Sequence, residues 1–194
     1  MRLLICFLCA ISLGVAGCGD DGGNGPPPAP PPDSTPVDNT AADSGFAQAM
    51  LSAHNSIRAS ATPTPNPALL PLTWSTELAK KALAWTEQCQ VTSDPSQPDV
   101  GQNLTGTTAY AFRTAQLVQV AWGGEANWYN YEQNTCAPGR VCAEYTQIVW
   151  RATTQVGCAV RLCEKNSPFS NAIQWHLWVC FYSPAGNQEG QRPY

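Results

Sequence analysis

The chain predicts an α+β layered domain closed by disulfides, and three observations carry that prediction. Apolar residues at helical spacing come first, strand alternation comes late, and six cysteines lie between Cys89 and Cys180. A length of 194 residues leaves room for one ordinary domain with accessory segments.

The elements follow in order. After the capping residues Asp43 and Ser44, the residues Phe46, Met50, Ala53 or His54, and Ile57 recur at helical spacing. They predict a first helix with His54 on or beside its buried stripe. The Pro-rich stretch TPTPNPALLP ends it. STELAKKALAWTEQC predicts a second helix with Ser75 as N-cap; Leu78, Ala82, Trp85 and Cys89 share its inner face, and Lys80 and Lys81 stay in solvent. TAQLVQVAWGGEANWY predicts a third, with Val118, Trp122 and Glu125 at i, i+4 and i+7, weakened by the Gly123-Gly124 pair. CAVRL and IQWHLWVCFY read as strands. In the second, Trp175, Leu177, Val179 and Phe181 face one side, and Gln174, His176, Trp178, Cys180 and Tyr182 the other. No internal repeat is evident.

Before these elements stand two segments that cannot build a core. Residues 1–17 carry one positive residue, Arg2, an apolar run from Leu3 to Val15 that is too short to span a bilayer, and small residues up to Cys18. VAGC resembles a bacterial lipoprotein signal, which implies cleavage after Gly17, a lipid on Cys18, and a membrane-anchored protein of the bacterial cell envelope or outside it. Residues 18–45 then form a tether: positions 19 to 45 hold seven prolines, five aspartates and no Lys or Arg.

With Cys6 and Cys9 in the signal and Cys18 lipidated, Cys89, Cys136, Cys142, Cys158, Cys163 and Cys180 remain. An even count in an exported domain predicts three disulfides, in any of about fifteen connectivities. The spacings Cys-x5-Cys and Cys-x4-Cys fit a zinc knuckle poorly. A net charge of -4, with ten Lys and Arg spread singly, excludes a nucleic-acid binder.

Several phrases together resemble one family: HNSIR, LTWSTELAKKALAW, GQNL, WYNYEQNTC, VCAEYTQIVWRATTQVGCA and WVCFYSPAGNQEGQRPY. They are similar to the CAP superfamily (SCP domain) of cysteine-rich secretory proteins, antigen 5 and plant pathogenesis-related class-one proteins, over residues 46–194. The resemblance implies a three-layer α-β-α sandwich with a mixed, mostly antiparallel sheet, stapled by disulfides. It also implies a cleft with two histidines and two glutamates, a divalent-cation site in some members. His54 matches the first histidine and Glu125 a glutamate, whereas Gln102 stands where a glutamate is usual and Glu144 where the second histidine is usual.

That substitution pattern sets the chemistry to be expected. His54, Glu125 and Glu144 are the candidate ligands for zinc or calcium, although no cofactor is required, and losing one imidazole moves the set toward oxygen-preferring cations. The same three residues are the only candidate acid/base set, for hydrolysis of a peptide or glycan. No nucleophile with an obvious base stands beside them, so a non-enzymatic binder of a lipid or sterol-like ligand, or of a cell-surface partner, is the favoured reading. His176 reads as a packed strand histidine, Asn103 of NLT as an unused glycosylation acceptor, and the tail from Pro184 as held over the domain.

Overall fold

The computed structural model describes residues 40–41, 43–108 and 116–194, all within the unit Ser34–Tyr194. The signal peptide over 1–17, the lipid site at Cys18 and most of the tether over 18–45 lie outside the described residues. Among the described residues, no helix is long and apolar enough to cross a membrane.

Helix α1, Gly45–Ala59, starts where expected: the Ser44 side chain accepts a hydrogen bond from the Ala47 amide at 3.1 Å and supplies one of the acceptors a helix start lacks. Its inner stripe is Met50, Ala53, His54 and Ile57. Two polar residues on α1 then fix the chain that follows. Asn55 clamps the Leu72 backbone, donating to its carbonyl at 3.1 Å and accepting from its amide at 2.7 Å. Arg58 is buried and donates to the carbonyls of Leu70, Ile148 and Trp150 at 2.8 to 2.9 Å, so backbone dipoles rather than a carboxylate hold its charge.

Strand β1, Thr73–Trp74, leads into α2, Thr76–Thr86, which is capped by the Ser75 hydroxyl accepting from the Leu78 amide at 3.3 Å. Lys80 and Lys81 are exposed, as the periodicity predicts. Strand β2, Gly101–Thr107, follows. A short hairpin, β3 Tyr129–Asn130 with β4 Thr135–Cys136, precedes helix α3, Ala143–Ile148. The long strands β5, Gln155–Cys163, and β6, Trp175–Ser183, come last. The main sheet has the order β1-β5-β6-β2, parallel only between β1 and β5.

The sheet is covered on both faces, which makes the three layers. On one face α1, Leu117, Val118, Trp122 and α3 pack against Val156, Cys158, Trp178, Cys180 and Tyr182. On the other, Leu78 and Ala82 of α2 pack against Trp175, Leu177, Val179 and Phe181. The alternation read in β6 is therefore the alternation observed, and both sides are core because β6 lies between two strands and two helical layers. The disulfides pair Cys89 with Cys163, Cys136 with Cys142, and Cys158 with Cys180. The last joins residues directly opposite each other on β5 and β6.

Two expectations are corrected. The third helix is not a regular α-helix: Leu117–Trp122 is π-helical and Gly123–Asn127 is a 3-10 turn, while Thr114 and Ala115 lie outside the described residues. The widened turn keeps Val118 and Trp122 buried, but the Gly pair tightens the chain so that Glu125 points at the start of α3 instead of continuing the stripe. The strands are also not confined to the late chain, because GQNL sits in β2.

Candidate functional site

The four residues matched to the cleft do not converge. Adjacent positions on a strand face opposite sides of a sheet, and on β2 this parity divides Gln102 from Asn103. Asn103 turns to the α1 side, donating through Nδ2 to the Glu144 carbonyl and to the Tyr182 hydroxyl, both at 3.0 Å. Gln102 turns to the α2 side. Its side-chain amide serves the loop before it: Nε2 donates to the Asp94 carbonyl at 2.9 Å and Oε1 accepts from the Asp94 amide at 2.7 Å.

His54 is fully buried, with both ring nitrogens engaged. Nδ1 lies 2.7 Å from the Met50 carbonyl, to which it can only donate, so Nε2 accepts from the Tyr182 hydroxyl at 2.8 Å. Burial pushes its pKa down to about 4, against the pull of the Met50 carbonyl and helped by the nearby Arg58 charge. The result is a neutral imidazole closing a chain of hydrogen bonds, Asn103 to Tyr182 to His54 to Met50.

The two glutamates do meet. Helix α3 has no side-chain cap at Cys142, and its first-turn amides need an acceptor. Glu125 supplies one from the 3-10 turn, accepting from the Tyr145 amide at 2.9 Å. The Glu144 carboxyl lies beside it. Burial raises the Glu125 pKa to about 8; the Tyr145 amide opposes this, while the hydrogen bond and charge of Glu144 add to it. The Glu144 Oε2 is buried with no donor among the described residues other than a proton carried by this pair. A neutral Glu125 is the form that this environment favours.

This arrangement limits the chemistry. Glu125 is already committed to the Tyr145 amide at the start of α3, and the hydroxyl beside His54, that of Tyr182, is held by Asn103 and His54. Zinc requires nitrogen, sulfur or ionised oxygen donors converging on one point, and calcium about six to eight oxygens. Here both imidazole nitrogens are engaged in core hydrogen bonds and the Gln102 amide is engaged with Asp94 on the other side of the sheet, so the four residues do not present one converging donor set in this arrangement. Among the described residues, the one converging group of potential ligands is His54 with Cys158 and Cys180, whose sulfurs are bonded to each other.

Sequence reasoning missed Asn103, Tyr182 and Tyr145 as members of this network. Asn103 and Tyr182 carried a usable signal, since each is a polar group on the core-facing parity of a strand. Asn103 is 1% exposed, which removes NLT as a glycan acceptor in the folded protein. His176 is half-buried on β6, and burial lowers its pKa.

A second feature opens on the outer side of the α1 layer. A groove of about 430 Å³ runs between α1 and the 3-10 turn, lined by Ser56, Ile57, Ser60, Thr62, Gln119, Tyr129 and Tyr145 among others. Its lining combines the aliphatic Ile57 and Ala126 and the rings of Tyr129 and Tyr145 with the polar side chains of Ser56, Ser60, Thr62 and Gln119.

Comparison with known proteins agrees with this architecture. The family described as CAP, cysteine-rich secretory protein family, matches residues 51–182, and the chain belongs to it. It is 36% identical over 163 residues to GLIPR1-like protein 1 of Mus musculus, covering 80% of this chain and 66% of that protein. It is 34% identical over 151 residues to a pathogenesis-related protein of PR-1 type from Sambucus nigra, covering 76% and 81%. The chain spans only 31% of the human peptidase inhibitor 16, to which it is 36% identical over 145 residues, covering 75% of this chain. Among solved structures, Schistosoma mansoni venom allergen-like protein 4 superposes with a TM-score of 0.61 at 27% identity, covering 78% of this chain and 94% of that one.

Proposed function

We propose that this is an exported CAP-domain protein that binds an amphiphile, a lipid or sterol-like molecule, without catalysing a reaction, and that a lipid on Cys18 tethers it to a membrane. The observation that carries the binding reading is the groove between α1 and the 3-10 turn. At about 430 Å³ it falls within the usual range for ligand sites, of about 300 to 1,000 Å³, and it offers aromatic and aliphatic side chains together with hydroxyls to one molecule. The groups that would do acid/base or metal chemistry are committed elsewhere, His54 to core hydrogen bonds and Glu125 to the start of α3. The tether rests on VAGC and the Pro-rich segment; the relatives named above are from animals and a plant, so the bacterial character rests on that motif alone.

The test is titration of the full chain with dehydroergosterol and with a fluorescent stearate. Saturable binding of at least one probe is expected, weakened about tenfold or more by Ser56→Trp, which fills the groove from an exposed position. The double variant Glu125→Gln with Glu144→Gln should bind as the parent does. Absence of saturable binding, or binding indifferent to Ser56→Trp, would refute the groove as the site.

A further inference from the structure

Trp122, Trp150, Trp175 and Trp178 are 0 to 7% exposed, whereas Trp128 is 43% exposed. Its surroundings differ from the lipid groove. Trp128 lines a separate hollow of about 380 Å³ together with Asn127, Asn130, Gln133, Thr135 and Pro138. No charged side chain lines it.

The polar groups there are partly spent and partly available. Asn127 donates to the Gly124 carbonyl at 2.9 Å, leaving its Oδ1, and Asn130 accepts from the Gln133 amide at 2.9 Å, leaving its Nδ2. The Gln133 side-chain amide makes no hydrogen bond within the described protein. The hollow therefore presents an acceptor, a donor and one complete amide beside an indole ring.

The hollow is also held rigid before any ligand arrives. The Trp128 amide donates to the Glu125 carbonyl at 2.9 Å, and the Ala137 amide donates to the Trp128 carbonyl at 2.8 Å. Tyr129 donates to Asn134 at 2.6 Å across the β3-β4 turn, and the Cys136–Cys142 disulfide closes the loop behind β4. Arg140 lies 4.1 Å from the centre of the Trp128 ring and supports it. Little ordering cost remains for a ligand to meet.

From the uncharged amide lining, the exposed indole and this bracing, we infer that the β3-β4 hollow is a binding site for a neutral saccharide. A pyranose has an apolar C–H face that stacks on an aromatic ring and a rim of hydroxyls that both donate and accept, as side-chain amides do. An apolar peptide or an acyl chain would leave the amides unpaired, and Arg140, the cation beside the hollow, is already engaged on the Trp128 ring. The hollow adjoins the amphiphile groove through Tyr129, which lines both, but its indole and amides belong to it alone, so the two readings are tested by different substitutions.

The experiment is saturation-transfer difference NMR on the full chain with a panel of neutral probes, cellobiose, chitobiose, maltose and lactose, followed by calorimetric titration of the responders. At least one should bind saturably. Trp128→Ala should abolish the signal, Gln133→Ala should weaken binding about tenfold, and Ser56→Trp should leave it unchanged. Gln133 is exposed, so its replacement tests the contact without touching the core. No response from any panel member, or a response that survives both Trp128→Ala and Gln133→Ala, overturns the assignment.

Discussion

At the scale of single residues, two titratable positions, the buried His54 and the half-buried Glu125, pull stability in opposite directions with pH. Glu125 carries a proton in the fold that the unfolded chain releases near the ordinary carboxylate value of 4.5, so its contribution is fully present below that pH. It is lost as pH rises through about 8. His54 does the reverse: folded it stays neutral down to about 4, so its contribution is present above 6.5 and fades as pH falls toward 4. Glu125→Gln keeps an acceptor for the Tyr145 amide and removes the titration. Urea midpoints of the parent should decline between pH 6.5 and 9, and those of Glu125→Gln should stay level across the same range. A parallel decline in both would mean that Glu125 does not hold this proton in the fold. Helical spacing was enough to place His54 inward, but its partner Tyr182 lies 128 residues away and no local pattern announces that pairing. Glu125 was legible as a helix residue and not as the acceptor for another helix, because that role depends on how the Gly123-Gly124 turn tightens.

At the scale of elements, β5 runs tight against the first turn of α2 at Gly157. A Cβ on Gly157 would come within 2.2 Å of the Ala79 amide nitrogen and 2.4 Å of the Ser75 carbonyl, both backbone atoms that cannot swing aside. Gly157→Ala should therefore force α2 off the sheet at a cost of about 1 to 3 kcal/mol, read as a lower urea midpoint with the fold retained. An unchanged midpoint would show that the helix rides on the sheet more loosely than this contact requires. Strands β5 and β6 were readable because their alternation is long and apolar. Strand β1, two residues long, and strand β2, with the sequence GQNLTGT, were not: neither has enough β-branched or aromatic residues to stand out, and both exist because β5 and β6 offer them an edge. The place of Gln102 was hidden for the same reason, since the parity of β2 decides that Gln102 turns from the side where Asn103 meets Glu144.

At the scale of the whole molecule, the three disulfides constrain very different lengths of chain. Cys89–Cys163 closes a separation of 74 residues, Cys158–Cys180 one of 22 and Cys136–Cys142 one of 6. Loop-closure entropy then assigns about 4 kcal/mol to the first and about 2 kcal/mol to the last. Replacing Cys89 and Cys163 together by Ser should lower the melting temperature more than replacing Cys136 and Cys142 together; the reverse order would make the hairpin, not the α2-β5 link, the staple that matters. The cysteine count predicted three bridges, and the partners emerged only once β5 and β6 were aligned.

The order in which the strands are made has a further consequence. Strand β6 ends at Ser183 and is the last strand synthesised, yet it pairs with both β5 and β2. Arg58, near the start of the domain, likewise waits for carbonyls 90 and 92 residues downstream. Until β6 has been made, β5 and β2 have no common neighbour and the sheet has no centre. The domain therefore stays open through the synthesis of everything before β6 and closes only once that strand has emerged.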